Sequence, residues 1–288
     1  MKYKAARYGP PFLCANTAPR PRQYIDCMPE AHLLRVCAYG CNLLVEAPDS
    51  ATLEVVDRHL LPGLPRVAAF EGKPDGVARL RAVDGGLELV TEEDARVFAP
   101  SAMQMLQFLI RALDDTVVRC LRGWFAVHAG TVAWRGRALL IPGMSHAGKS
   151  SLVAALLRRG ATYYSDEYAM IDAEGMVHPY PRPVLLRNGG PFQEPMLPTA
   201  LNAEAGRGPA PVGWIFQVQY AAGGAWSVEP MDQSRAVFAL LRNTPHVLAD
   251  APEMMRCFER AVQSAQGFHG ERGEAEDAAE RIVQIASA

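Results

Sequence analysis

The octapeptide Gly143-Met144-Ser145-His146-Ala147-Gly148-Lys149-Ser150 places two glycines, a lysine and a hydroxyl at the spacing G-x-x-x-x-G-K-[ST]. Glycines at both ends permit a tight turn whose backbone N–H groups converge on an anion, and a helix starting behind it adds the positive end of its dipole. In a Walker A loop of this kind Gly143 to Ser151 surround a polyphosphate, Lys149 reaches its outer phosphates, and the Ser150 hydroxyl coordinates magnesium. The pattern therefore predicts binding of ATP, with GTP as the other candidate. A chance match in a Gly-rich turn is the bland reading, but at average residue usage the four fixed positions coincide in only roughly one in a hundred chains of this length. Lysine usage points the same way, because only Lys2, Lys4, Lys73 and Lys149 stand among the 29 lysines and arginines.

Phosphate chemistry also needs carboxylates, and Ser165-Asp166-Glu167 supplies an adjacent pair. One of the two can hold the magnesium shell while the other accepts the proton of an attacking hydroxyl. His128 stands twenty-one residues before Lys149; on its own it would read as a structural histidine, and the acidic pair as a solvated turn.

These residues need particular elements to meet. Arg137 to Ile141 is an apolar run suited to a buried strand, and Ser151 to Arg159 reads as a helix ended by Gly160. Ala161 to Tyr164 reads as a strand into the acidic pair, and if it runs parallel to the strand before the loop, the pair arrives at the loop's end of the sheet. Trp124 to Val127 and Thr131 to Trp134 read as strands, with His128 at the end of the first and a turn at Arg135-Gly136. Upstream, residues 1 to about 30 are proline-rich and irregular, and Leu33 to Val45 is strand-like. Asp49-Ser50 caps a helix through Leu60, Asp84-Gly85-Gly86 turns a hairpin, and Ser101 to Leu121 carries a helical apolar stripe from Met103 to Val118. Downstream, Val212 to Val218 and Trp226 to Glu229 read as strands, followed by helices at 232–241 and 252–264, a polar loop, and a helix at 273–287.

A length of 288 residues allows one large or two modest domains, and the boundary falls near residue 100. A net charge of −2 with 21% charged residues gives no reason to expect nucleic acid or an anionic membrane as partner. No apolar run approaches the ~20 residues of a membrane span, and the first residues lack a signal-peptide stretch, which places the chain in the cytoplasm. Of six cysteines, only Cys37 and Cys41 are close enough to suggest a metal clip; spacing of four along one strand puts both on one face, which reads as packing.

The run His128-Ala129-Gly130-Thr131-Val132, a short hairpin, Gly143 to Ser150, Arg159-Gly160 and Ser165-Asp166-Glu167 resembles the catalytic domain of bacterial HPr kinase/phosphorylase and its shorter relatives. The resemblance covers roughly residues 122 to 190, including Pro179-Tyr180-Pro181-Arg182-Pro183-Val184. It implies a P-loop domain of HPr-kinase type, placed over 101–288, and with the small α+β region read from the elements over 1–100 the fold class is α/β. It further implies a magnesium-dependent kinase that moves the γ-phosphoryl group of ATP to a hydroxyl on a peptide, protein or small molecule. The shorter relatives include kinases acting on a serine of precursor peptides, and the bifunctional enzymes assemble as oligomers. By position, the resemblance implies active-site roles for His128, Lys149 and Glu167: Lys149 on the phosphates, Ser150 and Asp166 on magnesium, Glu167 taking the hydroxyl proton, and His128 orienting or polarising the carboxylates. The family pair is usually two aspartates, so Glu167 brings a longer arm and leaves open which carboxylate is the base. The segment serving the reverse, phosphate-releasing reaction is not identifiable, so kinase activity is expected over phosphorylase. A nucleotide-gated peptide-binding module, or an NTP hydrolase without an acceptor, would use the same loop.

Overall fold

The computed structural model describes residues 32–60, 64–91, 94–144, 147–187, 190, 192–245 and 251–288. The proline-rich segment before residue 32 lies outside them, as do Ser145 and His146 of the loop. The architecture is mixed α/β, with six helices and several sheets among the described residues.

The chain enters through β1 (Leu33–Ala38) and β2 (Cys41–Glu46), which form a tight antiparallel hairpin. Its turn is Tyr39-Gly40, at φ 53° and 79°, the left-handed pair that a two-residue hairpin turn demands. The single strand expected over 33–45 is therefore broken in the middle. Cys37 pairs with Asn42 and Cys41 with Ala38, so the two cysteines sit on opposite faces, Cys41 buried and Cys37 partly exposed. Next comes α1 (Ser50–His59), capped by Asp49, whose carboxylate accepts the Thr52 N–H at 2.7 Å. This helix is the crossover that lets β3 (Gly76–Val83) run parallel to β2. The turn Asp84-Gly85 joins β3 to β4 (Gly86–Thr91), and β5 (Arg96–Ala99) completes a five-stranded sheet. Along α2 (Ala102–Cys120), Leu106, Leu109, Ile110, Leu113 and Val117 are buried, while Met103 at the head of the expected stripe is exposed. These α2 residues share one core with β1 to β4 and with Ala126, Met170 and Tyr180.

A second sheet carries the loop. It contains β6 (Trp124–Trp134), β7 (Arg137–Pro142), β8 (Thr162–Ser165), β9 (Tyr168–Asp172), β10 (Met176–His178) and, beyond a two-stranded ribbon of β11 (Val184–Leu186) and β12 (Glu194–Met196), the strand β13 (Ala210–Tyr220). Between β7 and β8 stands α3 (Lys149–Arg158), which begins at Lys149, two residues before the expected start. After β13 follow β14 (Ser227–Met231), α4 (Gln233–Arg242), α5 (Ala251–Val262), β15 (Gln266–Arg272) and α6 (Ala275–Ser287). The order is β10-β9-β6-β7-β13-β15-β14, with β8 against β6; β7, β13 and β15 run parallel. Both faces are covered. Leu139, Ile141, Trp214 and Phe216 pack with α3 and α6, while Leu140 and Ile215 face the core formed with α4 and α5. That double burial is why the segment before the loop reads as a continuous apolar run.

Two expectations change here. Residues 266–272, expected as a polar loop, are β15, held between β13 and β14. Also, His128 does not end a strand. It lies within the eleven-residue β6, at the point where pairing passes from β9 to β7.

Candidate functional site

Strand directions bring the chemistry together. Because β6 is antiparallel to both β7 and β8, those two are parallel to each other and end on the same edge, one at Gly143 and the other before Asp166 and Glu167. His128 is stitched between them by the backbone. Its N–H donates to the Asn243 carbonyl at 2.7 Å, its carbonyl accepts the Gly143 N–H at 3.2 Å, and the neighbouring Ala129 N–H donates to the Glu167 carbonyl at 2.9 Å. Gly130 lets α3 approach β6, since a Cβ there would stand 2.7 Å from Val153 Cγ2 and 3.6 Å from Lys149 Cβ.

The helix begins without a side-chain cap, in contrast to α1, α2 and α4, which have Asp49, Ser101 and Asp232. Its first-turn amides are therefore left for an outside acceptor. Gly148 takes the left-handed conformation at φ 75° that turns the chain into the helix. The Lys149 side chain is buried, and its ammonium donates to the carbonyls of Gly143 at 2.9 Å and Met144 at 3.2 Å. It stands 3.3 Å from His128 Nε2, which is 2.7 Å from Glu167 Oε1. An ionised carboxylate only accepts, so we assign the proton to Nε2, donating to Glu167. Beside this group, Ser150 Oγ donates to Asp166 Oδ2 at 2.9 Å, and the Tyr163 hydroxyl donates to Oδ1 at 3.1 Å.

Charges in this cluster reinforce one another. Burial by itself would raise Glu167, but the hydrogen bond from His128, with the charges of Arg182, His128 and Lys149, outweighs it and holds the carboxyl at about 2. Burial lowers Lys149 while Glu167 and Asp166 pull it back up. The site thus sets a partly desolvated ammonium beside an ionised carboxylate, an arrangement that favours an incoming anion with a proton to be removed nearby.

Of the residues expected from the sequence, His128, Lys149, Ser150, Asp166 and Glu167 converge through direct contacts. Gly143, Met144, Ala147 and Gly148 form the described part of the loop, and Ser151 is exposed in the first turn of α3. Several participants had no assigned role. Arg182, within the Pro-Arg segment, is 3% exposed; its Nη1 donates to Asp114, and its Nε lies 3.3 Å from Asp166 Oδ1 without hydrogen-bond geometry. Burial opposes its charge, yet Asp114, Asp166 and Glu167 more than compensate and raise its pKa. Asp114 also accepts from the Tyr180 hydroxyl at 2.7 Å. Arg272, at the end of β15, is buried over the Tyr220 ring and donates to the Gly148 carbonyl at 2.9 Å. An arginine inside an apolar proline segment and one closing a strand edge were the available signals; neither spacing nor periodicity links them to the loop.

The Ser150–Asp166 pair fits magnesium chemically, because both donors are hard oxygens and are already within 2.9 Å of each other. The described residues hold no cluster of three or more His, Cys, Asp or Glu suited to a metal, but magnesium bound with phosphates keeps several waters and needs only one or two protein oxygens. Comparison with protein-family models found no match, and comparison with curated proteins found none.

Proposed function

We propose that this chain is a kinase that transfers the γ-phosphoryl group of a nucleoside triphosphate, ATP in the first instance, to a hydroxyl on a peptide, protein or small molecule. The observation that carries the reading is the contact chain Lys149–His128–Glu167 standing beside Ser150–Asp166 at an uncapped helix start. Simple nucleotide binding needs the loop and the lysine; it does not need a histidine-supported carboxylate next to them. The sequence resemblance to HPr-kinase-type P-loop proteins supports the same reading, and a reaction supplied by ATP suits a cytoplasmic setting.

In this reading the amides of the loop and of the first turn of α3 bind the phosphates, and Lys149 neutralises charge on the transferring group. Ser150 and Asp166 would hold a magnesium ion, which supplies further charge neutralisation on the phosphate oxygens. Glu167 takes the acceptor's hydroxyl proton as the new O–P bond forms and the bond to the bridging oxygen breaks; the diphosphate leaves with that electron pair. His128 keeps Glu167 oriented. Arrival of the polyphosphate engages Lys149 and offsets its positive field, which raises the proton affinity of Glu167 above that of the empty site.

The test follows the γ-phosphate of labelled ATP in the presence of magnesium and a panel of serine peptides and small alcohols. Label on an acceptor is the expected result. Release only as inorganic phosphate would make the chain a hydrolase, and bound but intact ATP would make it a nucleotide-gated binding module.

A further inference from the structure

A groove of about 820 Å³ opens beside the loop, at the carboxyl ends of the parallel strands β7, β13 and β15. Crevices at that edge of a parallel sheet are where ligands of α/β proteins bind. Which ligand follows from which end of the loop the groove meets. Its wall includes Gly143 and Met144, whose carbonyls accept the Lys149 ammonium. The loop lysine marks the outer phosphates. Ser150 and Ser151, at the other end of the loop, do not line the groove. Asn243 does, and its carbonyl receives the His128 amide. The groove meets the site through Gly143 and Asn243, whose backbones bond that of His128, while the side chains of His128, Lys149 and Glu167 lie outside its wall. An occupant that extends its hydroxyl past this rim meets the γ-phosphate end of the loop, which is the place of the acceptor rather than of the nucleoside.

The lining defines the acceptor's chemistry. Phe238, Met144 and Tyr220 are 63%, 53% and 41% exposed, three of the most exposed large apolar side chains among the described residues. Arg235 and Arg242 stand among them, and no carboxylate among the described residues pairs with either; Arg235 Nη1 instead meets His269 Nε2 at 3.1 Å. Among the described residues, Glu271 is the one acidic side chain in the wall. A small polyol would leave most of such a volume unfilled and would satisfy neither the apolar side chains nor the two arginines.

We infer that this groove binds the acceptor as an acidic peptide segment, with an aromatic or large aliphatic side chain flanking the hydroxyl residue. The inference rests on the phosphotransfer reading and narrows its acceptor. The hydroxyl loses its proton to Glu167, its oxygen bonds the γ-phosphorus of the nucleoside triphosphate, and the nucleoside diphosphate departs.

The full-length chain is tested with two serine peptides that share a phenylalanine and differ in having aspartate or lysine flanks. Binding is read by fluorescence anisotropy without nucleotide, and transfer by labelled ATP with magnesium. The acidic peptide should bind and react with at least a tenfold advantage in kcat/KM. The double variant Arg235→Glu, Arg242→Glu should reduce that kcat/KM by roughly 10²-fold, mainly through KM, and transfer the preference to the basic peptide. Its nucleotide affinity, read by calorimetry, should stay at the wild-type value because neither arginine hydrogen-bonds to the described part of the loop. Phe238→Ala should raise KM for the acidic peptide several-fold. Equal use of both peptides, better transfer to a small polyol, or a double variant with unchanged peptide preference would overturn the inference. If wild-type protein neither binds nor hydrolyses ATP, the phosphotransfer reading fails, while the anisotropy data still decide whether the groove selects acidic peptides.

Discussion

Replacing Glu167 by glutamine separates its electrostatic role from its shape, because the amide retains an oxygen that can accept from His128. In the folded chain the carboxyl is held at about 2, against its ordinary 4.5. At ~1.4 kcal/mol per pH unit this corresponds to roughly 3 kcal/mol of native-state stabilisation at neutral pH. The side chain is 31% exposed, so solvent screening reduces the expected loss in Glu167→Gln to about 2 kcal/mol. A depressed carboxyl pKa stabilises the fold above the unfolded value and loses that contribution as pH falls toward the folded one. The gap between wild type and variant should therefore be full at pH 7 and shrink to about 60% of that by pH 3.5. Urea titrations at both pH values measure it. At neutral pH the same variant should lose about 10²-fold or more in turnover with nucleotide affinity changed only a few-fold. A stability gap that is the same at pH 7 and pH 3.5 refutes the electrostatic account. Near-normal turnover removes Glu167 from the chemistry, and a loss of turnover with retained binding in Asp166→Asn would move the base to Asp166.

Lys149→Met keeps the apolar stem buried and removes the ammonium, so phosphoryl transfer should fall about 10³-fold while the fold remains, as read by circular dichroism and labelled transfer. Wild-type rates in folded protein would end the nucleotide-site assignment. Arg182→Met leaves Asp114 and Asp166 buried without their shared cation and should cost about 3–5 kcal/mol in a denaturant titration; a change below about 1 kcal/mol would show that the arginine is dispensable to the fold. Gly148→Ala forces a Cβ into a residue at φ 75° and into collision with the Arg272 guanidinium, so it should weaken nucleotide binding at least tenfold in calorimetry while lowering stability by about 1–2 kcal/mol. Unchanged affinity would mean that the loop tolerates a different entry into α3.

Local chemistry explains what was legible in the sequence. Asp49 caps a helix because its side-chain oxygen can reach a free N–H three residues on, and Asp84-Gly85 turns a hairpin because glycine accepts positive φ. The loop between β7 and α3 and the burial of 137–142 on both faces follow equally from residues adjacent in the chain. By contrast, β15 contains Gly267, Gly270 and three charged or ionisable residues in seven, a weak strand by propensity. It becomes one through parallel pairing with β13 and antiparallel pairing with β14, partners 36 or more residues away. Tyr39-Gly40 likewise split a strand-like run whose apolar pattern continues through the turn, and so separated Cys37 from Cys41. At the site, types and spacing named Lys149, Ser150 and the adjacent pair Asp166 and Glu167, while His128 was singled out by the family resemblance of the run around it. Only the tertiary structure decided that His128 sits where β6 changes partners, that Arg182 lies between Asp114 and Asp166, and that Arg272 braces Gly148. Those contacts join strand edges far apart in the chain, and no local preference encodes them.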